Sequence, residues 1–191
     1  MKKFTKILNV TVAVATLVAS NILPTEGFAA VQGTLGATST GSVNINVTKP
    51  ARADINNLSD MTLASWVNGD AAPQLTEDVC VYSSKANGGY TIKATGSGTA
   101  SAFTLANGAN LLPYSVTWNS GGVGALANTG TALTANVTSA GLTGASRDSS
   151  TCSGATPGMT ARLVVGMTTA NMDSIVDGIY AGTLTMLVTP N

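Results

Sequence analysis

The chain has 191 residues, with nine basic and nine acidic side chains, no histidine and two cysteines; 44% of it is hydrophobic and only 9% charged. Without histidine, the commonest general base and the usual zinc ligand are both missing, so a Ser-His-Asp or Cys-His site is excluded and no cofactor, metal site or enzyme activity is expected. So weakly charged a chain has no electrostatic footing for nucleic acid, which is held by clustered Lys and Arg.

Residues 1–29 read as a secretory signal peptide. Lys2, Lys3 and Lys6 form the positive end, Ile7 to Val18 the apolar stretch, and Gly27-Phe28-Ala29 sets small residues at the two positions inspected before cleavage. Cleavage is expected after Ala29, with Ala30 as the second choice. The apolar run falls short of the roughly 20 residues that span a bilayer, which argues against a retained anchor. Removing Lys2, Lys3, Lys6 and Glu26 leaves six basic and eight acidic residues, a net charge near −2 on about 162 residues, the size of one domain. Solubility must then come from Thr, Ser, Asn and Gly, a balance usual for extracellular β proteins.

Residues 30–42 read as an N-terminal extension. Val31, Gly33, Leu35 and Ala37 recur at every second position, so an extended chain would carry them on one side. They form a candidate donor strand, or else a frayed tail.

From residue 43 to 191 the period is two almost throughout, as antiparallel sheets with one wet face require. Val43, Ile45 and Val47 alternate with polar residues. So do Tyr90, Ile92 and Ala94; Leu112, Tyr114, Val116 and Trp118; Leu133, Ala135 and Val137; and Leu163, Val165 and Met167. Tyr180, Leu184, Met186 and Val188 mark a closing strand. Shorter candidates are Ile55–Leu63, Glu77–Ser83 and Ala102–Leu105. Asn87-Gly88-Gly89 and similar pairs tolerate positive φ and supply turns; the first is expected to reverse the chain before Tyr90. Eight or nine short strands predict an all-β, immunoglobulin-like Greek-key sandwich without an amphipathic helix. Gly141–Gly158 reads as a polar loop.

Cys80 and Cys152 are expected to form one disulfide, since the chain is exported to an oxidising compartment; a metal-binding thiol pair would need other spacing and partners. The eight acidic residues of the mature chain are scattered, and nothing in their order suggests a carboxylate pair. Trp118 continues an apolar face and reads as core. Trp66 reads as core or as a platform for stacking on a sugar.

Two segments resemble a known family. Asp177-Gly178-Ile179-Tyr180-Ala181-Gly182-Thr183-Leu184-Thr185-Met186-Leu187-Val188 resembles the closing strand of the spore coat protein U-like domain of secreted archaic chaperone–usher pilins. Val79-Cys80-Val81-Tyr82, with Gly89-Tyr90-Thr91-Ile92, Phe103-Thr104-Leu105 and Leu112-Pro113-Tyr114-Ser115-Val116, is similar to the middle of that family and of the related alternative class. The chain departs from the coat-U pattern in having no cysteine in its first strand. The resemblance implies a sandwich lacking one strand, a periplasmic chaperone that lends one, an outer-membrane usher, and like or related pilin subunits whose N-terminal extensions replace it. It thus implies a structural subunit of a surface fimbria. The alternative is a self-complete secreted sandwich that recognises a glycan or host protein as an adhesin; no receptor is named by the sequence.

Overall fold

A computed structural model describes residues 29–191 apart from Val123, Ala125 and residues 154–157. The expected signal peptide therefore lies outside the described residues, save for Ala29. The described chain divides into two units, ending and starting at Thr48 and Lys49.

The larger unit is all-β and sandwich-like, with antiparallel sheets. Among the described residues nine strands form: β1 (Ala53–Asn56), β2 (Gln74–Ser83), β3 (Tyr90–Gly96), β4 (Thr104–Asn107), β5 (Asn110–Pro113), β6 (Ser115–Asn119), β7 (Thr131–Leu133), β8 (Ala161–Gly166) and β9 (Leu184–Pro190). One sheet has the order β1-β2-β8-β6-β7; β3 pairs with β9, and β4 with β5. The chain pairs neighbours within a sheet at β1–β2, β4–β5 and β6–β7 and changes sheet from β2 to β3, β3 to β4, β5 to β6 and β8 to β9, so that each sheet can bury one face against another.

The alternating residues meet in that interior. Val79, Val81, Ile92, Leu112, Val116, Trp118, Leu163 and Val165 are all buried. Buried indole and phenol groups need partners. Here Trp118 Nε1 donates to the Tyr90 hydroxyl at 2.8 Å. Burial raises the Tyr90 phenol's pKa above its ordinary value, opposed by its hydrogen bonds to Trp118 and Ser120. Phe103 and Tyr114 stack with ring centroids 5.6 Å apart. The expected disulfide is present: Cys80 in β2 joins Cys152, with Cα atoms 5.3 Å apart.

Several sequence expectations are corrected. Val43, Ile45 and Val47 form no strand, and each is exposed; alternation supplies a strand's side chains but not its hydrogen-bonding partner. The run Leu133, Ala135, Val137 is not one strand. β7 stops at Leu133, Asn136 takes a φ of 60°, and residues 136–142 turn to bond the outer edge of β3. The candidate Ile55–Leu63 ends as a strand at Asn56, before Asn57 at φ 66°. Asn87-Gly88-Gly89 does not make a hairpin: Asn87 and Gly88 both have positive φ, but β2 and β3 pair with β8 and β9 rather than with each other. Among the described residues two short α-helices also form, α1 (Ser150–Ser153), which carries Cys152, and α2 (Thr169–Asp173). α2 is capped by Thr168, whose side chain accepts from the Asn171 amide. The expected polar loop is accordingly more ordered than composition suggests, since Leu142 pairs with Tyr90 and Ser146 bridges to Tyr82.

Candidate functional site: an apolar cleft beside an open strand edge

The closing strand β9 has one strand neighbour among the described residues. β3 directs the backbone groups of Tyr90, Ile92 and Ala94 to residues 136–142. Antiparallel ladders alternate, so Thr91, Lys93 and Thr95 bond β9, at Thr189, Leu187 and Thr185. The N–H and C=O groups of Leu184, Met186 and Val188 therefore point away from β3, along an edge that pairs with no described strand. Pro190 has the same phase, and its missing N–H costs the ladder nothing there.

The same three residues turn their side chains inward. Leu184, Met186 and Val188 pack against the core yet stay half-exposed, while Thr185, Leu187 and Thr189 are exposed. Beside them lies a cleft of about 940 Å³. Leu75 of β2 and Leu163 and Val165 of β8 line one wall; Leu184 and Met186 line the other. Leu112, Tyr114 and Met172 are also among its lining residues, as are parts of the connections over residues 58–66 and 175–183. The charged side chains lining it are Asp60, Glu77 and Asp177, all acidic, and Ser59 Oγ donates to Glu77 at 2.8 Å.

Of the closing residues named from the sequence, Tyr180, Leu184 and Met186 line the cleft and Val188 does not. Tyr180 lies before β9, lines the cleft, and its hydroxyl donates to the Val176 carbonyl at 3.1 Å. Trp66 also lines it. Its ring packs against the core half-buried, with Nε1 donating to the Ala71 carbonyl at 3.1 Å. The residues across the cleft from the closing strand were not found as its wall from the sequence: Leu163 and Val165 read there only as an alternating face, and Leu75 was not singled out. Cys80 and Cys152 hold a different region, and the candidate donor residues belong to the smaller unit.

In that unit Val31 pairs with Ser42 through mutual backbone hydrogen bonds of 2.9 Å. Leu35 to Thr38 form a bend rather than an extended run, and Val31, Gly33, Leu35 and Ala37 are all exposed. Among the described residues no group of three acidic or cysteine side chains gathers as a metal site would require.

Comparison with known protein families and with curated proteins finds no match to this chain. The disulfide fits an oxidising extracellular or periplasmic compartment, and no described helix is long and apolar enough to cross a membrane.

Proposed function

We propose that this protein is a structural subunit of a bacterial surface fibre, assembled by a chaperone–usher route in which an extended strand from a neighbouring subunit completes each sandwich. The observation that carries this reading is the edge of β9 that pairs with no described strand, beside a cleft whose walls include the aliphatic side chains of Leu75, Leu163, Val165, Leu184 and Met186. A strand laid there would give Leu184, Met186 and Val188 their missing backbone partners and cover their side chains at once. A self-complete adhesin would have no use for such an edge, which is a liability in a freely secreted protein. Before assembly a periplasmic chaperone shields the edge, and an outer-membrane usher exchanges it for the next subunit's extension.

The test is to export the full chain alone and with its cognate chaperone. Alone it is expected to aggregate or be degraded; with the chaperone it yields a soluble one-to-one complex. A stable, soluble monomer made without any chaperone would overturn the proposal.

A further inference from the structure

We infer that the strand filling the cleft is Ser42–Thr48 of a second copy of this chain, with Val43, Ile45 and Val47 as the inserted side chains. The inference rests on the strand-addition reading above and assigns its donor. Two stretches of the smaller unit alternate, and they differ in what they offer. Val31–Ala37 has Gly33 and Gly36, one large aliphatic beyond Val31, and a bend from Leu35 onward. Ser42–Thr48 has three β-branched aliphatics at successive alternate positions, the composition that fits a pleated, half-buried strand.

Exposure points the same way. Val43, Ile45 and Val47 are 71%, 82% and 88% exposed in the single chain. Three large apolar side chains on one side of an extended run, none of them covered, lack the burial that would stabilise them.

The fit to β9 is close in length, phase and charge. Ser42–Thr48 and β9 both have seven residues. The donor side chains recur every second residue, as do the open backbone groups of Leu184, Met186 and Val188. Gly41 and Pro50 bound the run, so a strand built on it cannot extend far at either end. No charge lies within the run; Lys49 and Arg52 follow it, while the charged residues lining the cleft are acidic. An uncharged strand thus lies against the aliphatic walls, and its basic flank is drawn to the acidic side chains lining the cleft.

The experiment is disulfide trapping between full-length chains. One tagged chain carries Ile45→Cys; a differently tagged chain carries Leu184→Cys, Met186→Cys or Val188→Cys. The two are co-exported with the cognate chaperone and usher. A parallel arm uses Leu35→Cys in place of Ile45→Cys. The inference expects a mixed-tag, reducible dimer from Ile45→Cys with at least one β9 position, at ten times or more the yield from Leu35→Cys. A dimer from Leu35→Cys and none from Ile45→Cys would overturn the donor assignment while upholding strand addition. No mixed-tag dimer in either arm, with the protein monomeric, would overturn both. A chain carrying Ile45→Cys and Met186→Cys together that closes an internal bond as a monomer would overturn the second copy as the source.

Discussion

Asp78 in β2 stands directly opposite Arg162 in β8, and the guanidinium bonds both carboxylate oxygens, at 2.5 and 2.9 Å, while also reaching Asn128. Hydrogen bonding from Arg162 is the main cause that lowers the Asp78 pKa from its ordinary 3.8; partial burial opposes it and the guanidinium charge adds to it. A folded-state pKa below the unfolded one means the contribution is fully present above about pH 4 and is lost as the pH falls through the folded value. Asp78→Asn is therefore expected to lower the melting temperature at pH 7 and to narrow the gap in melting temperature between pH 7 and pH 3. Thermal scans at both values check this, and a gap as wide as in the wild type would contradict it. Such a pairing could not be read in advance, because Asp78 and Arg162 are 84 positions apart and their register depends on the whole sheet. The burial of Trp118 was legible from its alternating neighbours; its bond to the Tyr90 hydroxyl was not.

At the scale of elements, runs with strong alternation and a partner came out as strands, β3, β8 and β9 among them, while Leu112–Trp118 divides at Tyr114 into β5 and β6. Failures fell where pattern and partner part company. Val43, Ile45 and Val47 have the pattern without a partner strand, and the residues after Leu133 leave β7 to bond the other sheet. The signal for the open edge was present but small: Pro190 ends the closing strand, and proline inside a strand belongs at an edge. The disulfide was legible from compartment and count alone. It joins β2 to α1 across 72 positions, which the chain-entropy account values at about 4 kcal/mol. Replacing Cys80 and Cys152 by Ala together is expected to lower unfolding stability by about that amount in the chaperone-bound or assembled protein, as read by denaturant titration. A loss below about 1 kcal/mol would show that the bond constrains little. The exported wild type should show no reactive thiol after unfolding.

For the whole molecule, the proposed strand addition makes folding and assembly parts of one process. The single chain buries Trp118, Tyr90 and their neighbours but, among the described residues, leaves β9 with one edge unpaired and its inward side chains half-covered. It also leaves exposed Val43, Ile45 and Val47, the side chains proposed to cover them in a neighbouring copy. Sequence pattern supplied both halves of this arrangement, the closing strand and the alternating run, without showing that one lacks what the other has. That complementarity emerges only from the order of strands in the sheets. Its most direct test is amide hydrogen exchange along β9, compared between the newly refolded single chain, pulse-labelled before it aggregates, and the assembled fibre. In the single chain, the amides of Leu187 and Thr189 should be protected and those of Met186 and Val188 should exchange at least ten times faster. In the fibre all four should be protected. Protection of Met186 and Val188 already in the single chain, or their rapid exchange in the fibre, would contradict completion of the sandwich by a neighbour's strand.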